Sequence, residues 1–248
     1  MMEPSVIPAA LALAAVLVST YTDLRNRVIP NWLTISLTAV GITFYGLLGA
    51  LQGNLATVVS GALGAALAFA IGYALWKVGV WAGGDVKLFT ALGALLYNHE
   101  MPTGNPIYPI PLSILFNGAI VAAPFLFAYA VILRAQGQSV FFAQVRVAEL
   151  KEGMIPAETI FEKEGIVYSC SGFQIRKKWD KIYADPKRAA GLTNYQIRTL
   201  KRLAREKKIG STIKIKRGVP FAPVLAAGTL ITVLYGDLYW LLLKSVLA

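Results

Sequence analysis

Six apolar runs, at residues 5–22, 31–51, 55–77, 85–97, 107–133 and 220–243, leave this chain few ways to fold. About 20 apolar residues cross the ~30 Å hydrocarbon core of a bilayer as a helix. Within that core every backbone N–H and C=O must be bonded internally, so single runs of this length become helices. Five runs reach or approach the required length. The fourth does not: the twelve residues Val86 to Tyr97 rise only ~18 Å as a helix. Mean hydropathy of +0.58 and 56% hydrophobic residues exclude an ordinary soluble domain. The expected fold class is an all-α polytopic membrane protein. It has six transmembrane helices and a small mixed α/β cytoplasmic insert before the last one.

Charge divides the chain in the same way. The net charge is +11, and residues 134–219 carry 19 of the 24 lysines and arginines against 8 acids. The remainder is neutral. The expected organisation is therefore a membrane domain of helices 1–5 over 1–133, a basic cytoplasmic domain over 134–219, and the last helix over 220–248. A basic segment beside membrane helices is attracted to anionic lipid headgroups, by about 1 kcal/mol per surface cation. That is a simpler reading than nucleic-acid binding, and no nucleic-acid partner is expected. Cys170 is the single cysteine and His99 the single histidine, on opposite sides in this topology, so no metal site, disulfide or cofactor is expected. The first apolar run lacks a basic n-region and a cleavage signature, and is read as a retained helix.

Lysines and arginines in the connections give the orientation. With the N-terminus outside the plasma membrane, Arg25, Arg27, Lys77, Lys87 and the whole insert face the cytoplasm. Only Lys244 then lies opposite. Within the insert, Phe141–Glu152 is read as a helix. Gly165–Tyr168, Phe173–Ile175 and Ser211–Lys216 are read as strands, and Tyr195–Lys208 as a basic amphipathic helix.

Two carboxylates interrupt the apolar pattern, and ionisable groups at membrane depth are costly enough to mark function. Asp23 ends the first run, in Thr22-Asp23-Leu24-Arg25-Asn26-Arg27-Val28-Ile29-Pro30-Asn31. It is equally readable as an interfacial acid paired with Arg25 or Arg27. Asp85 follows Gly83 and Gly84 in an uncharged, Gly-rich connection that dips into the membrane, and precedes Val86-Lys87. It is also readable as a helix cap. A cap does not require two glycines, whereas the close approach of a second backbone does. Both aspartates fall at cytoplasmic helix ends. A third element, Gly218-Val219-Pro220-Phe221-Ala222-Pro223, starts the last run, with prolines suited to a first turn.

Together these segments resemble the type IV prepilin peptidases, membrane aspartyl proteases of the Gly-x-Gly-Asp class, and most of all the archaeal branch that includes preflagellin (prearchaellin) peptidases. Gly191-Leu192-Thr193 and the basic helix after it are similar to the archaeal form. The resemblance covers most of 1–97 and 190–230. It implies that Asp23 and Asp85 are catalytic, and that Gly83, Gly84, Lys87, Pro220 and Pro223 bind or position substrate. It also implies that the substrate is a pilin-like or archaellin precursor with a short charged leader. Ala82 stands where the class pattern has glycine. The cysteines of the zinc module found in many bacterial relatives are missing, so the resemblance carries over cleavage and not methylation.

Two carboxylates a few ångströms apart share one proton and titrate as a pair. One activates water and the other protonates the scissile carbonyl; which does which stays open. Lys87 is read mainly as snorkelling to lipid. Such leaders are often basic, so Glu149, Glu152, Glu158, Glu162 and Glu164 are candidates to hold one. Two other readings compete: a proton-coupled transporter using Asp23 and Asp85 as a relay, and a presenilin-like intramembrane protease. Transport sites lie near the midplane, and no inverted repeat is visible.

Overall fold

The computed structural model describes residues 5–171, 179–186, 191–218 and 220–247. The chain forms two compact units, one of residues 1–127 with 220–248 and one of residues 128–219.

The first unit is helical: α1 (Val6–Asn26), α2 (Asn31–Gln52), α3 (Leu55–Val78), α4 (Gly83–Leu96), most of α5 (Ile110–Ala135), α7 (Ala222–Leu234) and α8 (Leu238–Leu247). Four helices, α1, α2, α3 and α5, are long and apolar enough to cross a membrane. α7 and α8 together make a fifth candidate, bent by 62°. The expectation of six spans is thus met by four or five among the described residues. Two sequence segments account for the difference. Helix α4 has 14 residues and is apolar on every side, with Val86, Leu88, Phe89, Leu92, Leu95 and Leu96 all buried. A helix apolar all round belongs inside a protein rather than along a solvent boundary, and α4 packs on α1, α2, α3 and α7. The last run is broken at Tyr235–Gly236–Asp237, where Gly236 adopts φ +130°. The buried Asp237 side chain then accepts the Trp240 N–H at 2.9 Å and the Tyr108 hydroxyl at 2.7 Å.

Small residues let these helices meet backbone to backbone, as packing between apolar helices in lipid requires. The tightest crossing is α3 on α4. A Cβ at Gly93 would lie 2.4 Å from the Gly64 carbonyl oxygen, and one at Gly64 would lie 2.1 Å from that of Gly93. Helix α4 is thereby clamped deep in the unit, which fixes the depth of the Gly-Gly-Asp turn at its start.

The second unit holds β1 (Phe142–Arg146) paired antiparallel with β5 (Thr212–Lys216), and a three-stranded antiparallel sheet in the order β3-β2-β4. In that sheet β2 is Glu158–Lys163, β3 is Ile166–Ser171 and β4 is Lys181–Ala184. The helix expected over Phe141–Glu152 is instead β1 followed by a 3-10 turn at Val147–Glu149. Ala143, Val145 and Val147 alternate with Gln144 and Arg146, a period of two that suits a strand. The strands expected at Gly165–Tyr168 and Ser211–Lys216 are found within β3 and β5. The one expected at Phe173–Ile175 lies outside the described residues. The amphipathic helix is α6 (Asn194–Arg205). Thr193 caps it, accepting the Gln196 N–H at 3.3 Å while Gln196 Oε1 accepts the Thr193 N–H at 3.0 Å. Its Ile197, Leu200 and Leu203 are buried with Ile160, Tyr183, Leu192 and Ile213.

Candidate active site

Asp23 lies in the last turn of α1 and is buried. The helix ends on Arg27, which is left-handed at φ 56° and returns its N–H to the Asp23 carbonyl at 2.9 Å. The carboxylate serves a different helix. The first N–H groups of any helix lack intrahelical partners and carry partial positive charge. Phe221, the residue before α7, supplies no side-chain cap. Asp23 Oδ2 fills that role, accepting the Ala222 N–H at 3.3 Å across 199 positions of sequence. Pro223 sits in the same first turn, where its missing N–H costs no hydrogen bond. Pro220 lies just ahead of the turn.

Asp85 is the third residue of α4 and is also buried. Gly83 and Gly84 are therefore the first residues of a helix, and the connection before them is short. Asp85 Oδ2 reaches back to accept the Ala82 N–H at 3.0 Å. This is the half of a capping box that an acid at this position supplies. Ala82 contributes only its backbone, at φ −84° and ψ 160°. Any L-residue adopts that conformation, so alanine in the place of glycine introduces no strain.

Two contacts hold the Asp23 and Asp85 segments together, against the mutual repulsion of their like-charged carboxylates. Ile29, seven percent exposed, packs so closely on Gly84 that a Cβ there would lie 3.3 Å from its Cβ. Lys87 Nζ donates to Asn31 Oδ1 at 2.8 Å, so its ammonium ties α4 to the start of α2 as well as facing outward. Gly83 is different: a Cβ there would meet nothing within 4 Å. Arg25 is turned to the Tyr21 hydroxyl at 2.6 Å, while Arg27 interacts electrostatically with Asp23. The interfacial reading of Asp23 thus has Arg27, and not Arg25, as its partner.

Each carboxylate thus has one oxygen, Oδ2, committed to a backbone N–H. Among the described residues no hydrogen-bond donor is assigned to either Oδ1. A pair of buried acids can divide the roles of proton donor and proton acceptor. No group of three His, Cys, Asp or Glu suited to a metal ion is found among the described residues.

The five glutamates considered as leader-binding acids are each engaged within the second unit. Glu149 pairs with Arg146, and Glu164 with Lys163. Glu152 accepts from Asn194, and Glu162 from the Tyr183 hydroxyl. Glu158 accepts from Ser169 and from the Lys214 N–H. Sequence reasoning missed the Ala222 and Ala82 amides, Ile29, Asn31 and Trp81. Backbone donors have no residue signature. Ile29 and Asn31 stand in the quoted Asp23 motif, which was the only signal for them.

Apolar helices that present a buried pair of acids at adjoining helix ends define a class, the membrane-embedded aspartyl hydrolases. Residues 10–135, just over half the chain, match the type IV leader peptidase family, and residues 126–215 match the archaeal peptidase A24 C-terminal domain. The chain belongs to the type IV leader peptidase family and is a membrane protease. It is similar to the prepilin peptidase EppA of Methanothermobacter thermautotrophicus, at 24% identity over 94% of this chain and 95% of that protein. It is also similar to the preflagellin peptidase of Methanococcus voltae, at 27% identity over 46% of this chain and 53% of that one. The preflagellin peptidase of Methanocaldococcus jannaschii is 30% identical over 37% and 38%.

Proposed function

We propose that this protein is an aspartyl endopeptidase that removes the leader peptide from pilin-like or archaellin precursors at the cytoplasmic face of the plasma membrane, with Asp23 and Asp85 as the catalytic pair. One observation carries the reading: Asp23 and Asp85 are both buried at helix ends whose segments are joined by the packing of Ile29 on Gly84 and the Lys87–Asn31 hydrogen bond. In this mechanism the ionised member takes a proton from water, and the water attacks the scissile carbonyl. The protonated member gives its proton to the carbonyl oxygen, and a proton then goes to the departing amine. Gly83 leaves the space beside Asp85 through which an extended precursor backbone approaches. Gly84 and Lys87 hold the two motifs together, and Pro220 and Pro223 set the start of α7 against Asp23.

The topology proposed with it has the N-terminus outside and residues 134–219 in the cytoplasm beside anionic headgroups. That orientation puts 23 of 24 lysines and arginines on one side. Helix α4 makes a sixth, short membrane segment shielded by its neighbours. The transporter reading loses ground because both acids lie at helix ends.

The test is cleavage by the reconstituted protein of a type IV pilin precursor and an archaellin precursor, offered separately. Asp23→Asn and Asp85→Asn are each expected to lower cleavage by ~10²–10⁴-fold, the worth of one proton-transfer group. Parent-level cleavage by both variants refutes the mechanism.

A further inference from the structure

Trp81 precedes the Gly-Gly-Asp turn and is 3% exposed, held on three sides. Phe89 of α4 meets it edge-on at 5.3 Å between ring centroids. On α3, a Cβ at Gly72 would come 3.2 Å from Val86 Cγ1 and 3.3 Å from Trp81 Cζ3, so the ring shares with Val86 the space a side chain would need. Phe221 closes the third side at 5.0 Å, with the rings inclined at 51°.

Each ring belongs to the residue immediately before an amide that holds a carboxylate. The N–H of Ala82, after Trp81, is on Asp85. The N–H of Ala222, after Phe221, is on Asp23. A peptide unit is planar, so each N–H direction is set by the Cα and carbonyl of the residue before it. Locking the two rings against each other therefore locks the two donors, and through them the two acids. We infer that the Trp81–Phe221 pair is a spacer that sets the separation of Asp23 and Asp85, making both aromatics positioning residues for the reaction. The inference rests on the aspartyl-peptidase reading above.

It also accounts for the seating of Trp81. A residue in a short connection between helices is usually free to move, yet this one is wedged between three helices. The Gly72 gap on α3 and the Phe89 edge on α4 define where the ring stands, and Phe221 brings the start of α7 to it. A displacement of ~1 Å in a reacting constellation costs on the order of 10²-fold in rate, so a spacer of this kind acts on turnover rather than on precursor binding.

The experiment measures kcat and KM for precursor cleavage by Phe221→Leu and Phe221→Tyr, with thermal unfolding followed in parallel. Phe221→Leu keeps apolar bulk but loses the ring. It is expected to lower kcat about 10–100-fold while KM stays within about twofold. Phe221→Tyr keeps the ring and is expected to retain kcat within about threefold of the parent. Parent-level kcat in Phe221→Leu overturns the inference, as does an equal loss in Phe221→Tyr or a rise in KM with kcat unchanged. If Phe221→Leu does not fold, Trp81→Leu supplies the same test from the other ring of the pair. A fall in kcat at constant KM supports the spacer, and an unchanged kcat overturns it. Asp23→Asn and Asp85→Asn run alongside. Active aspartate variants sink the peptidase reading itself, whereas inactive ones beside fully active ring variants sink only the spacer.

Discussion

The paired glycines before Asp85 are adjacent in sequence yet make opposite demands, and alanine at each separates them. At Gly84 the new methyl would stand 3.3 Å from Ile29 Cβ and 3.6 Å from both Ile29 Cγ1 and Cδ1. Forcing a methyl into packed surroundings costs about 1–3 kcal/mol, and replacing a helical glycine with alanine returns up to about 1 kcal/mol. Gly84→Ala should therefore destabilise the protein by about 0–3 kcal/mol and push Ile29 away. At Gly83 the methyl meets nothing within 4 Å, and the backbone there is not left-handed. Gly83→Ala should stabilise the fold by about 0.4–1 kcal/mol, chiefly by restricting the unfolded chain. Cleavage should move the other way. A methyl in the space proposed to admit the precursor backbone should lower kcat/KM by about tenfold or more, since small misplacements of the scissile bond are expensive. The assays are reversible unfolding in detergent and cleavage kinetics on the same preparations. A Gly83→Ala protein that cleaves at the parent rate would refute the assignment of that space to substrate, and one less stable than the parent would refute the packing argument.

Two further outcomes test the packing. Gly93→Ala should destabilise by about 3 kcal/mol or more, because its methyl would lie 2.4 Å from a backbone oxygen that cannot move aside; Gly46→Ala on α2 meets nothing within 4 Å and should be neutral or stabilising. Thr193→Ala removes the α6 cap and should cost about 1 kcal/mol, seen as faster hydrogen exchange at the start of that helix with β2 and β3 unchanged.

Where sequence reading succeeded and failed follows from the kind of interaction involved. Long apolar runs betray helices because lipid leaves the backbone no other partner, and α1, α2, α3 and α5 were legible for that reason. α6 was legible because its apolar residues and Thr193 cap follow local rules. β1 was misread because five residues with Ala143 and Val145 inward make a weak pattern, and pairing with β5, some 70 positions away, decides it. β2 and β4 also went unnoticed, although β2 pairs with β3 across the short Glu164-Gly165 turn, because neither run alternates polar and apolar residues cleanly. The last run read as one helix because hydropathy averages over the break; the buried bonds of Asp237 and of Asn117, which reaches Thr232, Gly236 and Leu238, are made across distant segments.

Asp23 and Asp85 stood out in the bare chain because a charge among apolar residues is expensive wherever the chain goes, and that cost is a local property. Their surroundings are not. Which oxygen is held by which amide, why Gly84 rather than Gly83 touches Ile29, and how Phe221 comes to stand against Trp81 depend on helices far apart in sequence arriving at the same place. Chemical identity was written residue by residue. Geometry came from packing, since only the folded chain puts the start of α7 beside the end of α1.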